Sequence, residues 1–212
     1  MLARVGAGDV EGVRVVEDLR VAVGAGQVQH DELAAFDAGA GHLDVAGGIP
    51  VNNIAKWDGQ NWHALGEGVL GPSPNGLVNG AVLAMAVFDD DGPGPIPPAL
   101  YVGGDFDTAG GQPAFYIARW DGQNWTPVGG GMNDRVATLT VFDDGTGPAL
   151  YAGGYFTTAG GVPVNGIAKW DGQSWHPVGA GMTEFAEEPA MLSVLTLAGF
   201  DDGFGSGRSL YP

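Results

Sequence analysis

The sequence predicts an all-β fold assembled from repeated four-stranded units. Three observations predict it. The run Leu100-Tyr101-Val102-Gly103-Gly104-Asp105-Phe106-Asp107-Thr108-Ala109-Gly110-Gly111 returns 50 residues later as Leu150-Tyr151-Ala152-Gly153-Gly154-Tyr155-Phe156-Thr157-Thr158-Ala159-Gly160-Gly161. The hexapeptide Trp57-Asp58-Gly59-Gln60-Asn61-Trp62 recurs at 120–125 and, with Ser174 in place of Asn, at 170–175. No segment holds a helical apolar period over ten residues, whereas Asp-Gly between short apolar runs is a hairpin signal, because Gly accepts positive φ in the turn.

The elements are clearest in the copy that starts at Val136. Val136 to Phe142 is rich in β-formers and stops at Asp143-Asp144-Gly145. Ala149 to Ala152 follows as a second strand and is expected to end at Gly153-Gly154. Gly166 to Trp170 makes a third, and Asp171-Gly172-Gln173-Ser174 turns tightly into a fourth at Trp175 to Val178. Phe88-Asp89-Asp90 and Phe200-Asp201-Asp202 repeat Phe142-Asp143-Asp144. On this phasing, 46–66 is a partial unit, 79–130 and 135–180 are complete units, and 190–212 is a truncated one. Residues 1–45 carry no detectable repeat. They read equally as a decayed unit, a misassigned start or out-of-frame translation. Ala46-Gly47-Gly48-Ile49-Pro50 matches Ala159-Gly160-Gly161-Val162-Pro163.

An apolar strand meeting Gly-Gly (Leu100 to Gly104), then an aromatic (Trp120) and a Trp after a short turn (Trp125), resembles the kelch family. The Asn52-Asn53-Ile54-Ala55-Lys56-Trp57-Asp58-Gly59 pattern is similar to Gly-rich propeller repeats of exported bacterial proteins, notably planctomycete ones, and to fungal cortical polarity-marker proteins. The resemblance covers about residues 46–212. It implies a β-propeller of kelch-like four-stranded blades, with about three blades plus a partial one. Closed propellers have about four to eight blades, so the chain is expected to be incomplete or open: a fragment of a longer protein, or an arc that must associate. Kelch-like oxidases use copper with a Cys-modified Tyr, and a chain without cysteine excludes that chemistry.

Composition narrows the function classes. The 212 residues include 39 Gly and 14 Pro, yet 44% are hydrophobic and six are Trp, which a disordered acidic chain would lack. The absence of cysteine removes disulfides and thiolate chemistry. Eight basic against 25 acidic residues, a net charge of −17, argues against nucleic acid and against anionic membrane surfaces. There is no 18-residue apolar run for membrane insertion, and Met1 to Asp9 is not a signal peptide.

No residue is assigned a catalytic, cofactor-binding or metal-ligating role, and no cofactor is expected. Gly24-Ala25-Gly26 lacks the third Gly and the βαβ setting of a dinucleotide turn. His30, His42, His63 and His176 have no metal-ligand spacing, and the last two are equivalent repeat positions on a strand surface. Asn124-Trp125-Thr126 is a glycosylation sequon inside a repeat turn. The acidic loops (Asp89-Asp90-Asp91, Asp143-Asp144, Asp201-Asp202) and the turn acids Asp58, Asp121 and Asp171 should collect at one face of up-and-down sheets. That face would attract cations, but a Ca²⁺ loop needs alternating carboxylates with a closing acid, and the turn-forming role of Asp accounts for the pattern. Insertions at Gly66 to Ala81, Asp91 to Pro98 and Thr183 to Pro189 are loop-borne variation.

The expected function is a non-catalytic binding or scaffold module of an exported bacterial repeat protein, in the extracellular space or cell envelope. An unknown protein or glycan would contact the loop faces, and self-association would complete the propeller. The alternative is a fragment of a secreted carbohydrate-active enzyme or Ca-dependent adhesin whose functional residues lie outside this chain.

Overall fold

A computed structural model describes residues 13–19, 31–36, 43–71, 80–182, 193–201 and 208–211. Every regular element among them is a β-strand, and all pairings are antiparallel. Among the described residues, three four-stranded sheets follow one another along the chain, accompanied by a three-stranded sheet and three two-stranded hairpins.

The first sheet contains β1 (Val13–Leu19) and β2 (Asp31–Phe36). A short hairpin of β3 (Val45–Ala46) and β4 (Ile49–Pro50) precedes β5 (Ile54–Trp57) and β6 (Trp62–Ala64). The sheet order is β1-β2-β5-β6. Residues 13–19 and 31–36, where the sequence shows no repeat, thus hold the positions of the first two strands of a unit. The Ala46 to Pro50 segment forms the same kind of hairpin as its match at 159–163.

A two-residue strand, β7 (Val69–Leu70), precedes the second sheet, whose strands are β8 (Ala81–Phe88), β9 (Ala99–Asp105), β12 (Ile117–Trp120) and β13 (Trp125–Pro127); between β9 and β12, the hairpin β10 (Thr108–Ala109) with β11 (Gln112–Pro113) pairs with β7 in a separate three-stranded sheet. The third sheet consists of β14 (Val136–Asp143), β15 (Pro148–Gly154), β18 (Ile167–Trp170) and β19 (Trp175–Pro177), with the separate hairpin of β16 (Thr158–Ala159) and β17 (Val162–Pro163) between β15 and β18. A final pair, β20 (Ala198–Asp201) and β21 (Arg208–Tyr211), forms a two-stranded hairpin. In the second and third sheets the long strands are ordered as they occur in sequence, the up-and-down arrangement that Asp-Gly turns permit.

Strand ends fall close to the sequence expectation: β15 ends at Gly154, and β9 runs one residue past Gly103-Gly104, to Asp105. The neighbouring unit supplies the reason that these positions are glycine. A Cβ on Gly103 would stand 2.6 Å from Cγ1 of Val136, and a Cβ on Gly153 would stand 2.6 Å from Cγ1 of Val194. Each Gly is a slot for a valine from the next unit, and any side chain there would overpack the contact.

The core runs between units as well as within them. One cluster joins Tyr101 and Ile117 of the second sheet to Val136, Leu150, Trp170 and Trp175 of the third. Another joins Ile54 and Leu65, from around the first sheet, to Leu100, Val102 and Trp125 of the second. A third places Val194 and Leu197, with Leu210 against them, on Phe142, Tyr151 and Ile167. Successive units therefore bury each other's apolar faces, as stacked repeats must.

Candidate functional site

Two repeated constellations place the polar chemistry of this chain. The first is the hairpin that carries the paired tryptophans. In all three copies the two rings are directly opposed across the strands, with centroids 5.4, 5.2 and 5.1 Å apart and planes tilted by 47–49°. Asp-Gly-Gln-Asn/Ser fits the turn because the Asp carboxylate accepts from two backbone N–H groups. Asp171 Oδ1 takes those of Gln173 and Ser174, each at 2.8 Å. Asp58 and Asp121 make the same pair of contacts at 2.7 and 2.8 Å. The second Asp oxygen holds the histidine that follows the second Trp: His63 Nε2 lies 2.6 Å from Asp58 Oδ2, and His176 Nε2 lies 2.7 Å from Asp171 Oδ2. Donation from the backbone of Asn61, with His63 and Gln60, lowers the Asp58 pKa to about 2. Asp171 is lowered to about 2 as well, first by the backbone N–H of Ser174. Burial raises the Asp121 pKa, but the backbone donors of Asn124 and Gln123 outweigh it and the net shift is downward. His63 and His176 are thus strand-surface residues with an identical turn partner, and Thr126 stands in their place in the middle copy.

The second constellation sits where the first and second strands of a unit are joined. Asp144 Oδ2 accepts from the Tyr151 hydroxyl at 2.8 Å and from Lys169 Nζ at 2.7 Å, while its Oδ1 accepts from the backbone N–H and hydroxyl of Thr146. Asp90 does the same one unit earlier: Tyr101 donates at 2.7 Å and the Arg119 Nε lies 3.1 Å away. Lys169, then Thr146 and Tyr151, hold the Asp144 carboxyl well below the usual carboxylate range. Burial and the adjacent carboxylates push the Tyr101 and Tyr151 hydroxyls well above theirs. The second and third sheets thus each carry an acid, a phenol and a base brought together at the same end of the sheet. The sequence reading did not assemble this triad. Its signal was present, since Asp90, Tyr101 and Arg119 recur together as Asp144, Tyr151 and Lys169.

The acidic connections do emerge at one end of the second and third sheets. There, the turn at Gly172 packs against the backbone of Asp90. Asp143 Oδ1 is engaged by the N–H groups of Gly145 and Gly147 at 2.8 and 3.0 Å. Asp91 Oδ2 accepts from Ile96 N at 3.1 Å. Asp89 Oδ1 and Asp91 Oδ1 are sheltered from solvent without a hydrogen-bond partner. No cluster of three metal-ligating side chains occurs among the described residues. Asn124 of the sequon lies in its turn, exposed, with Trp125 buried beside it. The turn at Gly24 to Gly26, His30, His42, Pro72 to Gly76 and Thr183 to Pro189 lie outside the described residues.

A third feature joins units. Trp125 Nε1 donates to the Leu65 carbonyl at 2.6 Å, and Trp175 Nε1 donates to the Val128 carbonyl at 3.3 Å. Each reaches the residue after the last long strand of the preceding unit. The glycine that follows that carbonyl lies beneath the tryptophan pair: a Cβ on Gly129 would meet Trp170 and would stand 2.7 Å from Trp175 Cδ1. Trp125 and Trp175 therefore each do two jobs, filling the sheet surface and pinning the unit before them.

No protein-family model, curated protein or solved structure matches this chain.

Proposed function

We propose that this chain is a run of kelch-like blades of a β-propeller, serving as a non-catalytic binding or scaffold module of an exported bacterial repeat protein. One observation carries the reading. In the second and third sheets the repeated acids, phenols and bases are engaged with one another, and the second indole of each hairpin is bonded to a backbone carbonyl of the preceding unit. Groups committed this way build a scaffold, and recognition falls to what differs between units. The clearest difference is the Pro-rich connection of the second sheet, 91–98, where the third sheet has a short Asp-Gly-Thr-Gly turn. Ile96 is half exposed on it, and long loops on a rigid β scaffold are the usual carriers of binding.

The test is a glycan array probed with the labelled chain and with a variant whose 91–98 connection is replaced by the short turn of the third sheet. The reading expects retention without turnover, lost in the variant while the melting temperature stays within a few degrees. Cleavage of a retained glycan, or retention indifferent to the loop exchange, would refute it.

A further inference from the structure

The connection between β8 and β9 is rooted in the third unit as well as in its own. Phe88 and Ala99 close it as the last opposed pair of the two strands. Both are buried in one cluster with Tyr101 of the second sheet and with Trp170 and Trp175 of the third. Within that cluster the Phe88 and Tyr101 rings lie 5.8 Å apart. The tryptophan pair of the second sheet is turned elsewhere: Trp125 belongs to the cluster shared with the first sheet, and Trp120 packs against that cluster.

The hairpin turn of the third sheet reaches the same root. A Cβ on Gly172 would collide with the Asp90 carbonyl oxygen and would stand 3.4 Å from Asp90 Cβ. Gly59 and Gly122 hold the same place in the first and second hairpins, with φ of +93° and +100° against +98° at Gly172. No described residue comes within 4 Å of a Cβ at either. Asp90 is fixed in turn by the Tyr101 hydroxyl at 2.7 Å and by Arg119 Nε at 3.1 Å. The next residue shapes the connection itself. The Asp91 carbonyl accepts from Gly94 N at 3.2 Å, and Asp91 Oδ2 accepts from Ile96 N at 3.1 Å. Position thus passes from the turn of the third unit to Asp90, to Asp91, and on to the half-exposed Ile96.

We propose that the recognition surface belongs to the joint between the second and third units. The turn from Asp171 to Ser174 sets where the 91–98 connection stands, and Gly172 and Trp170 are positioning residues for the ligand that the connection takes. The inference rests on the reading of that connection as the binding element. A loop held in place before binding spares the ordering cost on binding, so a change in the third unit should weaken retention by the second.

Backbone order parameters from NMR test this without a ligand. Gly94 and Ile96 report on the connection, because its four prolines carry no N–H. Gly145 and Gly147, whose N–H groups bond Asp143 Oδ1, report on the third unit. Gly172→Ala should lower the values at Gly94 and Ile96 from the rigid range, about 0.85, to below about 0.6, and leave Gly145 and Gly147 rigid. Gly122→Ala, with the same backbone strain, should leave all four rigid. A glycan retained through the connection should be held about tenfold more weakly by Gly172→Ala than by Gly122→Ala. If Gly172→Ala does not fold, Trp170→Phe serves the same comparison, because it thins the cover on Phe88 and Tyr101 and keeps an apolar ring. Equal effects of Gly172→Ala and Gly122→Ala would overturn the proposal. So would loosening of Gly145 and Gly147 in step with Gly94 and Ile96, or a connection that stays rigid in both third-unit variants. An array that retains no glycan would refute the proposed function, and the order parameters would still decide the positioning.

Discussion

Alanine at the glycine four residues after the second Trp of each hairpin separates backbone strain from crowding. Gly66, Gly129 and Gly179 share one conformation, with φ of +58°, +54° and +58°. Placing an L side chain there costs roughly 1–2 kcal/mol at each position alike. What lies above them differs. No described residue comes within 4 Å of a Cβ at Gly179, so Gly179→Ala should cost only that backbone term. At Gly66 the nearest atom to a new Cβ is Trp120 Cζ3 at 3.3 Å, close enough that the ring must yield by a few tenths of an ångström. At Gly129 the new Cβ would stand 2.7 and 2.8 Å from Trp175 Cδ1 and Nε1, and Trp170 would be closer still. That degree of overpacking adds about 1–3 kcal/mol, for a total of roughly 2–5 kcal/mol. Urea denaturation followed by tryptophan fluorescence should rank the midpoints Gly179→Ala, Gly66→Ala, Gly129→Ala from mildest to most damaging. Equal losses at all three would show that positive φ alone sets the cost, and would refute the claim that the indoles press on these glycines.

Trp125→Phe leaves the Leu65 carbonyl without its 2.6 Å donor and should cost about 1–3 kcal/mol in denaturant unfolding, more than Trp175→Phe, whose bond is 3.3 Å; no loss from either would remove the pin from the account. Asp58 and Asp171 have folded pKa values near 2 against 3.8 when free, so the unfolded chain binds the extra protons between those limits. The stabilisation they bring is complete above about pH 4 and is lost as pH falls towards 2. Thermal melts across that range should fall with pH, and Asp171→Asn, which keeps the turn acceptor but not the titration, should flatten the slope.

Much of a unit is legible residue by residue. Trp170-Asp171-Gly172-Gln173-Ser174-Trp175 announces a hairpin because the Asp carboxylate and the Gly conformation act within four residues of each other. Gly153-Gly154 is legible only in part. Read locally, a glycine pair marks a strand end, and β15 does end at Gly154. The local reading misses that Gly153 is small because Val194, from a later unit, needs the space. The Asp144–Tyr151–Lys169 triad stands between these cases. Its members recur in step along the chain, but their contact becomes visible only when three strands lie side by side.

The sequence alone determined the repeat period, the four-strand unit and the turns, because hairpin hydrogen bonds and positive-φ glycines act over a few residues. Tertiary structure decided where each indole N–H and each glycine slot finds its complement. Those partners lie 47 and 60 residues away for Trp175 and Trp125, in a neighbouring unit whose position depends on stacking the sheets. No local pattern encodes that stacking, since it follows from apolar faces that single units cannot bury alone.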